Sequence, residues 1–260
     1  MKLVVKLGGK ALEEAGLLSR CAQVLAALAR RGHRVAVVHG GGSALTRTLE
    51  QLGKTSEFVN GLRVTDAETR EVALMVLAGG INKRLVAVLA RAGQPAMGLT
   101  GGDGLAFRAR KLPANGRDLG FVGEVCASDP RWLEVIWAQG ALPVVASLAL
   151  GMDGEYYNIN ADQMAAACAV TCEAEALIFL TDVPGVWDAS RRRIERLRAA
   201  EIPGLAEREV IQGGMLPKLE ACRQALAGGV ERVHILPAAA VESLPRVMAA
   251  EAHPGTEVVV

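Results

Sequence analysis

Short aliphatic runs that end at glycine alternate with amphipathic helical patterns along most of this chain. Strands of a parallel sheet are buried on both faces and read as continuous aliphatic runs, whereas the connecting helices are apolar on one face. The alternation predicts an α/β fold with an open, mainly parallel central sheet sandwiched by helices. Strands are predicted at 4–7, 35–38, 96–99, 142–146, 176–180, 232–236 and 256–260, and helices at 13–31, 43–52, 67–77, 81–92, 131–139, 160–172 and 216–227.

The stretch from Thr100 to Gly123 departs from this pattern, because it contains Gly-Gly-Asp-Gly, Pro113 and Asn115-Gly116. These are turn signals, and they predict β-hairpins that cover one side of the sheet. No low-complexity linker or repeat divides the chain. We therefore expect a single domain over 1–260, with an N-lobe (1–172) and a C-lobe (173–260) that share one continuous sheet.

Charge and hydropathy exclude several classes of protein. The 29 Lys and Arg residues nearly balance 28 Asp and Glu residues, so a uniformly basic surface for nucleic acid is not expected. Lys6 interrupts the apolar N-terminal run and argues against a signal peptide, and the apolar stretch 141–152 is too short and too rich in Gly and Pro to span a bilayer. We expect a cytoplasmic protein without a membrane partner.

The five cysteines are an odd number without a CxxC motif, which fits neither a disulfide framework nor a zinc ribbon. Cys168 and Cys172 could share a helix face, but no histidine lies near them in the sequence. Buried packing is the preferred interpretation. We expect a reducing compartment and no metal site.

Two glycine-rich segments follow predicted strands. Lys6 ends the first strand and precedes Gly8 and Gly9, and His39 precedes Gly40, Gly41 and Gly42 at the start of a helix. Ligands of open α/β sheets bind at the carboxyl ends of strands. Backbone N–H groups that lack a partner at a helix N-terminus favour anions. The alternatives are a lysine that snorkels to the sheet edge and a tight turn. We favour anion binding at both segments and assign His39 to packing.

Two nucleotide motifs are incomplete. Gly53-Lys54-Thr55 ends like a Walker A loop, but Thr48 occupies the position of its first glycine and a helical pattern precedes it. The stretch 40–45 begins like a dinucleotide fingerprint but has Leu45 at the third glycine. A P-loop fold and a nicotinamide-dependent dehydrogenase therefore lose their main support.

Four further segments carry polar residues beside turns or strand ends. Arg63 follows a turn glycine and suits bidentate carboxylate binding, although it fits a surface hairpin equally well. Asn158, Asn160 and Asp162 alternate before a helix, and one of them is expected to be the N-cap. The run 181–185 closes a strand with a Pro-Gly turn, and 213–218 places Lys218 near a helix start, where the helix dipole disfavours a cation. The arginine run 191–193 is interpreted as a solvated loop, with nucleotide contact as the alternative.

In this order, the motifs resemble the amino-acid kinase family, and within it the acetylglutamate kinases. The resemblance covers nearly the whole chain, through the segments 6–9, 39–42, 61–66, 82–83, 158–162, 182–185 and 213–218. It implies ATP-dependent transfer of a phosphoryl group to the side-chain carboxylate of N-acetyl-L-glutamate in arginine biosynthesis, with Mg²⁺ carried by the nucleotide. It also implies that the N-lobe holds the amino-acid substrate and the dimer interface and that the C-lobe holds the nucleotide.

The resemblance implies roles for individual residues. Lys6 and Lys218 would stabilise the transition state, and Asp162 would hold both lysines. The amino-acid substrate would contact Gly41, Gly42, Arg63 and Asn158. The residues implied to bind phosphate or nucleotide are Gly8, Gly9, Asp182, Val183, Pro184, Gly185, Val186, Trp187, Val210, Ile211 and Gln212.

Departures from the family and rival functions define the alternatives. Arginine-inhibited hexameric relatives carry an additional N-terminal helix, so we expect a homodimer that arginine does not inhibit. Trp187 stands where a smaller apolar residue is common in the family. One rival function is a kinase of carrier-protein-linked or acetylated aminoadipate or glutamate in lysine or arginine biosynthesis. The other is a non-catalytic amino-acid sensor of the same fold, and retention of both lysines argues against it.

Overall fold

The computed structural model describes residues 1–113, 117–211, 213–249, 251 and 254–260. The predicted Asn115-Gly116 turn lies outside these ranges. In chain order the strands are β1 (Lys2–Leu7), β2 (Arg34–His39), β3 (Phe58–Val59), β4 (Leu62–Arg63), β5 (Ala96–Thr100), β6 (Phe107–Lys111), β7 (Val122–Ser128), β8 (Leu142–Ala146), β9 (Leu148–Gly151), β10 (Tyr156–Ile159), β11 (Ala176–Thr181), β12 (Arg196–Arg198), β13 (Arg232–Pro237) and β14 (Thr256–Val259).

The helices lie between these strands. In chain order they are α1 (Lys10–Glu13), α2 (Ala15–Arg30), α3 (Gly42–Gln51), α4 (Ala67–Ala73), α5 (Asn82–Arg91), α6 (Arg131–Ala138), α7 (Ala161–Thr171), α8 (Ile202–Glu207), α9 (Met215–Ala227) and α10 (Leu244–Met248), with a π-helix at Leu74–Ile81 and 3₁₀ turns at Asp103–Leu105, Ala199–Glu201 and Ala238–Ser243.

The central sheet has the strand order β12-β14-β13-β11-β1-β2-β8-β5. Its neighbouring strands pair in parallel, except that β13 and β14 are antiparallel. β1 is central and pairs with β2 on one side and β11 on the other. The carboxyl ends of these three strands therefore meet at one edge of the sheet, and the predicted α/β fold is confirmed.

Helices cover both faces of the sheet. Along β1, Val4 belongs to a first apolar cluster, which includes the buried alanines of α7. Leu3, Val5 and Leu7 belong to a second apolar cluster, which includes the leucines of α2. Successive side chains of a strand point to opposite faces, so a strand covered on both faces must be apolar throughout. This explains the continuous aliphatic runs in the sequence.

One long helix differs from the prediction. The sequence predicts a break at Gly79-Gly80, but α4, the π-helix and α5 form a continuous helix over Ala67–Arg91. Each glycine costs a helix about 1 kcal/mol relative to alanine. Burial of Leu77, Ile81 and Leu85 on the inner face of this helix opposes that cost.

The length and composition of this helix would allow it to cross a membrane, since its mean hydropathy reaches 1.7. Of its most apolar stretch, 39% is buried within the protein, and a single helix of this kind is weak evidence for a membrane span. It packs against α2 and α3 in the second apolar cluster.

Beside the sheet, β6, β7, β9 and β10 form a small closed barrel, and β3 and β4 form a separate two-stranded hairpin. The antiparallel pairing of β6 with β7 confirms hairpin structure in the stretch after Thr100. The barrel itself was not predicted, because β9 and β10 have only four residues each and lack a clear alternation.

The cysteines are thiols in this fold. Cys21, Cys168, Cys172 and Cys222 are buried, and Cys126 is exposed. Cys168 and Cys172 lie on or next to α7 in the first apolar cluster, as the packing interpretation predicts. Among the described residues, no group of three Asp, Glu, His or Cys side chains has the arrangement of a metal site.

Candidate active site

Two lysines, the buried Lys218 and the half-buried Lys6, share one carboxylate at the carboxyl edge of the sheet. The Nζ atom of Lys6, from β1, lies 2.8 Å from Oδ1 of Asp162. The Nζ atom of Lys218, from α9, lies 3.0 Å from Oδ1 and 2.9 Å from Oδ2 of the same residue. Asp162 is in the first turn of α7. Three segments that are distant in sequence therefore meet in one ion-pair cluster.

The cluster carries an excess of positive charge in a buried place. Burial alone would raise the pKa of Asp162, but the charges and hydrogen bonds of Lys6 and Lys218 outweigh it and lower the pKa to about 2. Burial, together with the nearby charge of Lys6, lowers the pKa of Lys218. One carboxylate neutralises only one of two ammonium groups, so the cluster retains a charge that an anionic ligand can compensate.

The first glycine segment follows β1 and lies against this cluster. A Cβ atom on Gly8 would lie 2.7 Å from Nζ of Lys6, and one on Gly9 would lie 2.0 Å from Oδ2 of Asp182. Gly9 also has a positive φ of 50°. Oδ1 of Asp182 accepts a hydrogen bond from the backbone N–H of Lys10 at 2.9 Å. The positive φ therefore favours glycine at position 9, and the lack of side chains on both residues leaves space between the lysine and this aspartate.

The second glycine segment follows β2 and leads into α3. Gly41 has a φ of 156°, and a Cβ atom on it would lie 2.0 Å from Cδ1 of Ile81 and 2.8 Å from Cδ2 of Leu77. Gly42 begins α3, which has no side-chain N-cap. The first amides of α3 are therefore available to an anion.

Arg63 ends β4 and turns inward. It is buried, and its guanidinium donates to Oγ of Ser56, to the carbonyl of Gly42 at 3.0 Å and to Oγ1 of Thr46 at 2.7 Å. No carboxylate in the described part of the chain forms an ion pair with it. Burial lowers the pKa of this guanidinium. A buried cation without a protein counter-ion favours a carboxylate ligand.

The Asn158–Asp162 segment divides its polar side chains as the sequence predicts. Oδ1 of Asn160 accepts from the backbone N–H groups of Asp162 and Gln163, so Asn160 is the N-cap of α7. Asp162 binds the lysines. Asn158, on β10, donates to Oγ1 of Thr65 at 3.3 Å and faces a cavity.

A cavity of about 210 Å³ joins these elements. It lies below the β3–β4 hairpin and the barrel and is lined by one predicted catalytic residue, two of the predicted phosphate residues and all four predicted substrate residues. Those in its lining are Lys6, Gly8, Gly9, Gly41, Gly42, Arg63 and Asn158. Lys218 and Asp162 adjoin it through Lys6.

A second cavity, of about 740 Å³, lies beside the loop after β11. Trp187, which is 43% exposed, and Val210 line it together with Arg191 and Arg208. Among the other predicted nucleotide residues, Asp182 and Pro184 are exposed, Val183 is half-buried and Gly185 is buried. The side chains of Val186 and Ile211 lie in the core, so only their backbones can reach a ligand. Gln212 lies outside the described residues.

The arginine run is only partly the solvated loop that the sequence predicts. Arg192 is exposed and pairs with Asp188, whereas Arg193 is half-buried and donates to the carbonyl of Gly255. Arg191 lines the second cavity. The nucleotide-contact alternative therefore has a geometric basis at Arg191 alone.

Sequence reasoning missed several residues of the first cavity. Ser147 lies in its lining directly after β8, and Phe58 lies there at the start of β3. A hydroxyl directly after a buried strand is the same signal that identified Lys6. Phe58 packs against the guanidinium of Arg63, with its ring centroid 4.6 Å from Cζ. No sequence pattern predicts that contact.

The chain is similar to known proteins over nearly its whole length. Residues 1–237 match the model of the amino acid kinase family. The chain is 62% identical to the acetylglutamate kinase of Acidobacterium capsulatum, over 99% of both chains, and 53% identical to that of Koribacter versatilis, over 100% of this chain and 99% of the other.

Solved structures share the fold. The smu.665 protein of Streptococcus mutans matches with a TM-score of 0.85 at 28% identity, over 99% of this chain and 98% of the other. The N-acetylglutamate synthase of Neisseria gonorrhoeae, complexed with coenzyme A and N-acetyl-glutamate, matches with a TM-score of 0.88 at 28% identity, over 100% of this chain and 59% of the other. The chain therefore belongs to the amino acid kinase family.

Proposed function

We propose that the protein catalyses ATP-dependent phosphorylation of the side-chain carboxylate of N-acetyl-L-glutamate, giving N-acetyl-L-glutamyl 5-phosphate and ADP in arginine biosynthesis. The observation that carries this proposal is the ion-pair cluster of Lys6, Asp162 and Lys218, beside a cavity lined by glycine amides and Arg63. The extensive identity with acetylglutamate kinases supports the choice of substrate.

The reaction needs positioning and positive charge more than covalent help. An acceptor carboxylate is already ionised at neutral pH, so no general base is required. The main obstacle is repulsion between this carboxylate and the phosphates of ATP. Lys6 and Lys218 meet the transferring phosphoryl group, and Asp162 holds both ammonium groups in place. Gly8 and Gly9 contribute backbone N–H groups on the same side.

The first cavity suits a small dicarboxylate. Arg63 and the amides of Gly41 and Gly42 supply donors for carboxylate and carbonyl oxygens, and Asn158 adds an amide that can donate or accept. The cavity is close in size to such a substrate and is covered by the β3–β4 hairpin. We assign these four residues to the amino-acid substrate.

The second cavity suits the nucleotide. Trp187 offers an aromatic face, and Arg191 and Arg208 offer guanidinium groups beside the carboxylates of Asp188 and Glu209. The segment 182–187 connects this cavity to the lysine cluster through the contact between Asp182 and Gly9. We assign 182–187 and 210–212 to ATP, with Mg²⁺ carried by its phosphates. In this arrangement the N-lobe (1–172) binds the amino acid and the C-lobe (173–260) binds the nucleotide within one domain.

The exposed methionines Met75 and Met97 lie on two elements that contact each other, and we call this surface the apolar face; it supports a homodimer. Met75 on the long helix is 62% exposed, and Met97 on the edge strand β5 is 56% exposed. Edge strands and contiguous apolar surface are features that self-association covers. We assign the dimer interface to this face. As a separate proposal, we assign the protein to the cytoplasm.

The rival functions have less support. A carrier-linked substrate would need a basic entrance, and Arg192 and Arg193 of the arginine run are engaged by Asp188 and Gly255. A non-catalytic sensor would not need two lysines paired with one buried carboxylate.

The experiment is a measurement of ADP release with MgATP and N-acetylglutamate, glutamate, aspartate or aminoadipate as the acceptor. Turnover is expected with N-acetylglutamate and at least tenfold lower kcat/KM with the others. The absence of turnover with N-acetylglutamate contradicts the proposed function.

A further inference from the structure

A buried imidazole and a buried amide lie behind the second glycine segment, and the roles proposed above do not use them. His39 ends β2 and is fully buried, and its Nδ1 atom lies 2.8 Å from the carbonyl oxygen of Gly40. Asn82 begins α5 and is 1% exposed. Its Nδ2 atom lies 3.1 Å from Nε2 of His39 and 2.9 Å from the carbonyl oxygen of Val144.

These contacts define the hydrogen positions. A carbonyl oxygen can only accept, so Nδ1 of His39 carries the hydrogen that bonds Gly40. The side-chain nitrogen of Asn82 must face Val144, because its oxygen would repel the carbonyl there. Burial lowers the pKa of His39 to about 4, so the ring is neutral near pH 7 and Nε2 accepts from Asn82. On its other side, Oδ1 of Asn82 accepts from Nζ of Lys83 at 3.2 Å.

The hydrogen bond to Gly40 controls the direction of a neighbouring N–H group. The carbonyl of Gly40 and the N–H of Gly41 belong to one planar trans peptide, in which they point in opposite directions. Because the carbonyl points to the buried ring of His39, the N–H of Gly41 points away from it. Gly41 lies in the lining of the first cavity. Glycine has the least restricted backbone, so this peptide plane is free to rotate unless a neighbour holds it.

The helix that supplies Asn82 also supports the other side of the segment. Leu77 and Ile81, in the π-helix directly before Asn82, lie where a side chain on Gly41 would be. A short π-helical stretch changes the positions of side chains along a helix and is frequent beside functional sites. Here the same turn of helix packs against the glycine segment and hydrogen-bonds to the histidine that holds it.

We propose that His39 and Asn82 are positioning residues for the amino-acid substrate: their hydrogen-bonded pair fixes the Gly40–Gly41 peptide so that the Gly41 N–H is directed into the cavity before the substrate binds. Such preorganisation lowers the free energy that binding must spend on ordering the segment. The inference rests on the proposed assignment of Gly41 and Gly42 to N-acetylglutamate.

The test compares two substitutions of His39 in the full-length enzyme. His39→Leu removes the donor to Gly40, whereas His39→Asn retains an N–H donor close to the position of Nδ1. His33→Leu is the matched control, because His33 immediately precedes β2, at the other end of the strand from the cavity. We expect His39→Leu to raise the KM for N-acetylglutamate by roughly tenfold, with the KM for ATP changed less than about twofold.

We expect His39→Asn to recover most of the loss and His33→Leu to match the wild type in both KM values. Equal increases in the two KM values for His39→Leu, or failure of His39→Asn to recover substrate binding, would overturn the positioning role. Thermal unfolding of each variant establishes that it is folded under the assay conditions.

A second measurement keeps the proposal testable if His39→Leu does not fold. Nuclear magnetic resonance of ¹⁵N-labelled histidine in the wild-type enzyme is expected to show His39 with a protonated Nδ1 and an unprotonated Nε2 at pH 7. The opposite tautomer, or a protonated ring, contradicts the proposal. Asn82→Asp, which replaces the donor to Nε2 by an acceptor, is expected to alter this signature and to raise the KM for N-acetylglutamate.

The backbone amide signals of Gly41 and Gly42 distinguish a wrong assignment of the substrate site from a wrong positioning role for His39. If N-acetylglutamate leaves both signals unchanged in the wild type, the assignment of the substrate site is wrong, and the positioning role is wrong with it. If the signals move equally in the wild type and in His39→Leu, with unchanged KM, only the positioning role is wrong.

Discussion

Lys218 and Asp162 form an ion pair of 2.9 Å in which each side chain is less than one-tenth exposed. Lys6 binds the same carboxylate at 2.8 Å, so removal of Lys218 leaves Asp162 still paired. The carboxylate therefore keeps a partner when either lysine is removed, and the function of each lysine can be tested separately.

The substitution Lys218→Ala is expected to lower kcat by about two to three orders of magnitude, with little change in either KM. The reason is that an ammonium group aimed at the transferring phosphoryl group acts in the transition state and not in substrate binding. Steady-state kinetics measure the split. Lys2→Ala, at the start of β1 and paired with Glu134, is the control and should retain full activity. A raised KM with unchanged kcat would indicate a role in binding only.

The paired state of Asp162 also predicts a pH dependence of stability. Its folded-state pKa of about 2 lies below the ordinary value of 3.8, so its contribution is complete above pH 4 and is lost as the pH falls towards 2. The contribution is about 2 kcal/mol. Urea unfolding should therefore show that the wild type has a higher free energy of unfolding than Asp162→Asn above pH 4. This difference between the two proteins should become smaller as the pH falls from 4 to 2. A difference independent of pH between 4 and 2 would contradict the lowered pKa.

The contact between Gly41 and Ile81 predicts a steric effect. Gly41→Ala places a Cβ atom 2.0 Å from Cδ1 of Ile81 and adds backbone strain at a φ of 156°. We expect a loss of about 1 to 3 kcal/mol in stability and weaker binding of N-acetylglutamate. Gly16→Ala, in α2 with open space around the added atom, is the control and should leave activity unchanged. Wild-type affinity in Gly41→Ala would show that the segment is not part of the substrate site.

The aromatic face of Trp187 predicts a selective effect on the nucleotide. Stacking of a base on an aromatic side chain is worth about 1 to 3 kcal/mol, so Trp187→Ala should raise the KM for ATP at least about fivefold and leave the KM for N-acetylglutamate unchanged. Trp132→Ala provides a control at a tryptophan of nearly equal exposure, 45% against 43%. If both variants behave alike, the second cavity is not the adenine site.

The exposed methionines predict the oligomeric state. Sedimentation equilibrium should show a dimer for the wild type and a monomer for Met75→Lys, because a charge on the apolar face prevents its burial. Met152→Lys, at an even more exposed methionine between β9 and β10, should remain dimeric. A monomeric wild type, or a dimeric Met75→Lys variant, would place the interface elsewhere or exclude it.

The sequence predicted the elements that have a clear hydrophobic periodicity or that end at a glycine or a polar residue. The aliphatic runs fixed β1, β2, β8 and β11 to within about two residues, and the polar residues at their ends identified Lys6 and the two glycine segments. The approach of Lys218 to Asp162 was implied only by family resemblance, since 56 residues separate them and no local pattern specifies a contact across that distance.

Other features depend on tertiary packing. The helix continues through Gly79-Gly80 because its inner face is buried, which outweighs the local preference of glycine. The barrel depends on pairing among short strands. The hydrogen bond between His39 and Asn82 joins residues 43 positions apart, and the sequence predicts only packing for His39. In each case the determining interaction lies between segments that the sequence does not place together.

The central position of β1 has a consequence for the geometry of the reaction. The segment proposed to bind the acceptor follows β2, and the segment proposed to bind the donor follows β11; β1 lies between them. Neighbouring strands are about 4.8 Å apart, so the two segments are held roughly 10 Å apart by backbone hydrogen bonds. Side-chain replacements in the sheet can change its stability without changing this spacing. The separation between phosphoryl donor and acceptor is thus a property of the main chain. The lysines and glycines only adjust how the phosphoryl group and the acceptor carboxylate approach each other within that distance.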